Sequence, residues 1–342
     1  CNRGYEMSHL YITPCRKGED MNLFDTVYIG SLKVRNHFLR SATYEGKADP
    51  DGSPNEEITR IYRELAEGGI GTIITSYTYI ADYEKPADNQ LGIYSDELTD
   101  KYRAVTEAAH SGGSKIIMQL VHGSSCKQAD PDNARIIGPS AIAHPDSGLT
   151  PKEMSISDIA DMAELFAKAA ARAKDAGFDG VQIHAAHGYQ LSQWITPIFN
   201  RRTDEYGGSA LNRFRIISDV YYAVREAVGA DFPVWIKINS SDEVPGGIAM
   251  EDFLEMGREA ARIGIDAIEV SGNRWKFHPE TDRAYYKEAA VRLAELIDKP
   301  VILTGGLREL AQLEEISRSS KVNLFGFSRP LITDPGFIST LK

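Results

Sequence analysis

The stretch Ser155–Tyr189, SISDIADMAELFAKAAARAKDAGFDGVQIHAAHGY, contains one complete helix-to-strand unit. Ser155 and Asp158 have the spacing of a capping box, in which each side chain satisfies a backbone N–H at a helix start. Ile159, Met162, Phe166, Ala169, Ala170 and Ala173 then recur at helical period and predict one apolar face. Gly177 can take the left-handed position that stops a helix. VQIH follows as a short strand, so His184 falls at its C-terminal end, with His187 and Tyr189 just beyond.

The same unit returns along the chain. AEGGIGTIITS ends at Ser76, AAHSGGSKIIMQL at Leu120 and FPVWIKIN at Asn239. ARIGIDAIEVSG ends at Gly272, DKPVILTGG at Gly306 and SKVNLFGFS at Ser328. NHFLRSA, near the start, completes a set of eight candidate strands. Short β-branched strands alternating with amphipathic helices predict a parallel sheet. Eight such units in 342 residues predict a closed (β/α)8 TIM barrel as a single α/β domain. An open doubly wound sheet ranks second, because no G-x-G-x-x-G follows the first strand.

Bulk properties narrow the function. A formal net charge of −11 argues against nucleic acid and anionic membrane as partners. No apolar run is long enough to span a bilayer. Residues 1–20 lack the apolar core of a secretory signal and are read as a leader or expression remnant, poorly ordered, with residues 21–342 forming the barrel. Two of the three cysteines, Cys1 and Cys15, lie in that first segment; Cys126 alone sits in the body. That leaves no pattern for a disulfide framework, an iron–sulfur cluster or a zinc site, so no metal is expected and a cytoplasmic location is the simplest. A homo-oligomer is compatible with this reading.

In a barrel, the loops at the C-terminal strand ends build the active site. The strand ends here carry Ser41, Ala42, Thr43 and Tyr44; Ser76 and Tyr77; Gln119 and His122; His184, His187 and Tyr189; Lys237 and Asn239; Gly305 and Gly306; and Ser328 and Arg329. After the sixth strand come Trp275 and His278. Each group has a bland alternative: a histidine can be a loop anchor, and His122 is read as structural. Lys237 lies in the apolar run VWIKI and should point inward. A glycine pair after a buried strand lets backbone N–H groups approach a phosphate, and Lys237 and Arg329 could offset its charge.

These residues and their contexts resemble the old yellow enzymes, FMN-dependent ene-reductases of the NADH:flavin oxidoreductase group. The resemblance rests on NHFLRSATYEG (36–46), IIMQLVHGS (116–124) and IHAAHGYQLSQWITPIFNRRTDEYGGSALNRFR (183–215), the last being the most specific. VWIKINSSD (234–242), VILTGG (301–306) and LFGFSRPLITDP (324–335) complete it. It implies FMN as cofactor and NADH or NADPH as hydride donor to an enone-type small molecule. It implies that Ser41, Ala42, Thr43 and Tyr77 lie against the flavin, and that Gln119 and Lys237 meet its pyrimidine edge. Gly305, Gly306, Ser328 and Arg329 would hold the phosphate. His184 and His187 would bind the substrate carbonyl oxygen, and Tyr189 would deliver a proton. Tyr44 stands where many relatives carry Cys or Thr, and with Trp275 and His278 it is expected to shape the substrate pocket. Two rival readings remain at this level: a lyase or aldolase using Lys237 as a Schiff-base amine, and a non-catalytic flavin-binding protein.

Overall fold

The computed structural model describes residues 21–272, 278–279 and 281–341. Its centre is a ring of eight strands: β1 (Phe38–Arg40), β2 (Thr72–Ile74), β3 (Lys115–Val121), β4 (Gly180–Ala185), β5 (Val234–Asn239), β6 (Ala267–Ser271), β7 (Val301–Thr304) and β8 (Leu324–Phe327). Every strand pairs in parallel with its neighbours in chain order, and β8 pairs with β1. The sheet is therefore closed, and the open-sheet alternative falls.

Helices follow the strands in turn: α1 (Glu56–Glu67), α2 (Arg103–Ser111), α3 (Ile156–Asp175), α4 (Ala210–Val228), α5 (Met250–Ile263), α6 (Lys287–Leu296), α7 (Leu310–Ser319) and the short α8 (Arg329–Thr333). α3 starts on the expected Ser155–Asp158 capping box. It buries Ile159, Met162, Phe166, Ala169, Ala170 and Ala173, and ends before Gly177, whose φ is +89°. No helix of the described residues is long and apolar enough to cross a membrane.

Period-2 alternation assigns each strand residue to a side. Val181, Ile183, Ile236, Ile268, Leu303 and Phe325 face the helices and form the large outer core. Inward positions form three layers. The lowest is apolar: Leu39, Ile74, Ile117, Trp235, Ala267, Ile302 and Leu324. A hairpin, Val27–Ile29 with Leu32–Val34, packs Val27, Ile29, Leu32 and Val34 into this layer and closes the N-terminal end. The hairpin was not anticipated from sequence. Above it comes a polar layer of Ser41, Gln119, Gln182, Lys237 and Glu269, all buried. The third layer opens at the C-terminal end. There the segment between β4 and α4 folds into a short helix, Gln190–Ile195, and turns.

Candidate active site

One cavity of about 510 Å3 occupies the C-terminal mouth, within the usual size range for a small-molecule or cofactor site. Ser41, Ala42, Thr43, Tyr44, Tyr77, Gln119, His184, His187, Tyr189, Lys237, Gly305, Gly306, Ser328 and Arg329 all line it. They come from strands spread around the barrel and meet only because the ring closes. At the inward position of β8 stands Gly326, which keeps the floor low. One expectation is untested and one differs. Trp275 lies outside the described residues. His278 does not line the cavity; it stacks on Tyr285, rings 3.9 Å apart, with Nε2 3.0 Å from Glu243. Tyr285 and Tyr286 form that stretch of wall instead.

His184 and His187 meet edge to face, ring centroids 5.1 Å apart, and Tyr189 stands 5.2 Å from His184. The backbone N–H of Ala186 donates to His184 Nδ1 at 3.2 Å. That contact puts the ring proton on Nε2. His187 takes a positive φ of 63°, unusual for a side chain with a Cβ. The turn is held by its N–H to Asn239 Oδ1 at 3.1 Å and by Nε2 against Ser271 Oγ at 2.9 Å. Burial pushes both imidazoles well below the ordinary histidine range, Lys237 adding to the effect in each. Both are neutral at physiological pH. Burial likewise raises the Tyr189 phenol well above its usual value, with Tyr77 beside it contributing, so it keeps its proton. The Tyr77 ring lies between those of Tyr44 and Tyr189, at 5.6 and 5.3 Å. Tyr77 is itself pushed up to about 12, chiefly by burial. The group offers neutral N–H donors and a protonated phenol around one space, suited to an oxygen that gains negative charge.

The floor is a polar network. Lys237 Nζ donates to Ser41 Oγ at 2.8 Å and to Glu269 Oε1 at 2.9 Å. Ser41 Oγ also donates to Glu269. Gln182 Nε2 donates to Glu269 Oε2 at 2.9 Å, and Gln119 Nε2 donates to Gln182 Oε1 at 2.7 Å. Lys237 is thus tied to Glu269 and Ser41, an arrangement that counts against the Schiff-base alternative.

At the opposite end, Gly305 and Gly306 have φ of +91° and +71°. A Cβ at Gly305 would lie 2.4 Å from the Tyr285 ring, and one at Gly306 2.7 Å from the carbonyl of Asp282. The glycines are therefore required by the packed 282–285 segment as well as by their backbone conformation. Thr43 and Ser328 hydroxyls meet at 2.8 Å, and Arg329 reaches the Tyr285 hydroxyl at 3.4 Å. Arg308 adds a second cation to this end. The donor set fits FMN: cations and hydroxyls at one end suit a phosphate, and a carbonyl beside an ammonium at the floor suits a pyrimidine edge. Sequence reasoning missed Glu269, Gln182, Ser271, Arg308 and Tyr285. Parity could have found Gln182, which lies two residues before His184 on the same strand; the sixth strand had no recognised inward position from which to count.

The sequence profile of the NADH:flavin oxidoreductase / NADH oxidase family matches residues 22–342. The chain is 33% identical over 321 residues to the NADPH dehydrogenase of Geobacillus sp. strain WCH70, covering 92% of this chain and 91% of that protein. It is 31% identical over 325 residues to the NADH oxidase of Thermoanaerobacter brockii, covering 92% of this chain and spanning 50% of that longer relative. Among solved structures, morphinone reductase superposes with a TM-score of 0.82 at 25% identity, over 95% of this chain and 90% of its own. A 2-naphthoyl-CoA reductase complex superposes with a TM-score of 0.88 at 23% identity, over 94% of this chain and 52% of its own, a likeness of fold.

Proposed function

We propose, from the premise that this chain belongs to the NADH:flavin oxidoreductase / NADH oxidase family, that it reduces the activated C=C bond of α,β-unsaturated carbonyl compounds. It is an FMN-dependent oxidoreductase that uses NADH or NADPH. The observation that carries the finer reading is the pair of buried neutral imidazoles, His184 and His187, beside a protonated Tyr189 in one cavity.

Gln119 and Lys237 hold the pyrimidine edge of FMN; Gly305, Gly306, Ser328, Arg308 and Arg329 hold its phosphate. When bound, FMN supplies a hydride to the β-carbon and regains one from NAD(P)H. His184, with its proton on Nε2, and His187 grip the carbonyl oxygen, where negative charge develops as the β-carbon is reduced. Because both rings are neutral, they stabilise that charge by hydrogen bonding without surrendering a proton. The Tyr189 hydroxyl hands a proton to the α-carbon, and the adjacent Tyr77 hydroxyl, hydrogen-bonded to it, steadies the phenol. Tyr44, 40% exposed at the rim, bounds the substrate entrance. Nucleotide and enone use the same mouth in turn, which makes turnover ping-pong. A reducing cytoplasm is the compartment we propose.

Anaerobic mixing of NADPH-reduced protein with 2-cyclohexenone tests the reading. Return of the oxidised flavin spectrum with formation of cyclohexanone is expected. A spectrum that stays bleached until oxygen is admitted would leave only the coarser oxidoreductase assignment.

A further inference from the structure

The polar layer beneath the cavity contains a residue that none of the site chemistry so far requires. Glu269 is wholly buried in β6, directly in register with Lys237 on β5. A buried carboxylate is retained only with strong partners, and Glu269 has three: Lys237, Ser41 and Gln182.

A carboxylate can only accept hydrogen bonds. Gln182 must therefore turn its Nε2 toward Glu269, which leaves Gln182 Oε1 facing Gln119. Gln119 must then donate with its own Nε2, and its carbonyl is presented to the cavity it lines. Without the carboxylate, either amide could face either way. Glu269 also takes one of the three N–H bonds of Lys237 and the Ser41 hydroxyl takes another, which fixes where the third points. One acid thus sets both an acceptor and a cationic donor on the same floor.

We propose that Glu269 is a positioning residue: through Gln182 it aims the Gln119 carbonyl, and by direct pairing it aims Lys237, so that the two match the N–H and carbonyl of the FMN pyrimidine edge. The proposal rests on the FMN reading of the cavity. The carboxylate also offsets the charge of Lys237 beneath the flavin. Removing it leaves the ammonium uncompensated, which favours the more negative, reduced cofactor.

The test uses FMN-loaded protein and measures midpoint potential by dye equilibration and FMN affinity by fluorescence. Glu269→Gln should raise the potential by about 30 mV, the two-electron equivalent of a tenfold preference for reduced over oxidised FMN. Gln182→Leu leaves the charges in place but breaks the relay to Gln119, and should weaken FMN binding at least tenfold. A wild-type potential in Glu269→Gln, or wild-type FMN affinity in Gln182→Leu, overturns the proposal. If Glu269→Gln does not fold, as judged by circular dichroism, the Gln182→Leu affinity alone decides it. Wild-type protein that takes up no FMN would sink the parent reading, an outcome distinct from yellow variants that behave as wild type.

Discussion

Breaking the Lys237–Glu269 pair should cost far more than its surface counterparts, and breaking both halves should cost less than the sum. The side chains are 4% and 0% exposed and lie 2.9 Å apart. Losing one member of a buried pair leaves an uncompensated charge, at a typical cost of about 3–5 kcal/mol. Lys237→Met belongs near the lower end, because Ser41 and Gln182 still donate to the Glu269 carboxylate. Glu269→Gln belongs near the upper end, since the ammonium keeps only neutral partners. The Lys237→Met/Glu269→Gln double variant removes both charges and should be destabilised by no more than about 2 kcal/mol. The coupling would then be at least about 6 kcal/mol, near the top of the range for close, desolvated charge pairs. Urea unfolding of the four FMN-free proteins measures it without a contribution from cofactor binding. Being buried, the coupling should also be insensitive to salt. Single-variant costs that add to within about 0.5 kcal/mol would refute the pair as drawn.

Other predictions address catalysis and titration. Tyr189→Phe should slow reoxidation by an enone by about 100-fold or more while leaving flavin reduction by NAD(P)H nearly unchanged; stopped-flow traces in which both half-reactions fall equally would remove Tyr189 as proton donor. Because His184 and His187 titrate well below the usual 6.5 and Tyr189 well above the usual 10, the enone half-reaction should be flat across that interval. An inflection there that disappears in His184→Ala would contradict neutral imidazoles. Glu84, buried with one carboxyl oxygen unpartnered, has its pKa raised from 4.5 to about 8. Its folded-state value lies above the unfolded one, so its stabilisation is complete below 4.5 and is lost as pH rises through about 8. Glu84→Gln should flatten urea stability over that window; an unchanged pH slope would contradict the assignment.

Local chemistry was the legible part of this fold. The Ser155–Asp158 box, the α3 face and the Gly177 stop depend on neighbours within a few residues, and all stand as the sequence predicted. His184, Lys237 and Gln119 were legible because each sits at or near the end of an apolar run. Glu269 was not, because AIEVS had no recognised inward position from which to count, its partner Lys237 is 32 residues away and only closure of the ring makes them neighbours. The hairpin at 27–34 was missed for a related reason. Its apolar residues contact the barrel's lower layer, built from strands far along the chain. His278 was placed in the pocket from its position after β6, but Tyr285 stacks in front of it. Side-chain order within a loop depends on tertiary packing that no local pattern carries.

The central claim is that His184 and His187 grip an oxygen that gains negative charge above the bound flavin. A visible-spectrum titration of FMN-loaded protein with a para-substituted phenol tests it most directly, because a phenolate presents such an oxygen on a flat ring. Saturable perturbation of the flavin spectrum is predicted for the wild type, with affinity at least tenfold lower in His184→Ala. Equal phenol affinity in the two proteins would contradict the account.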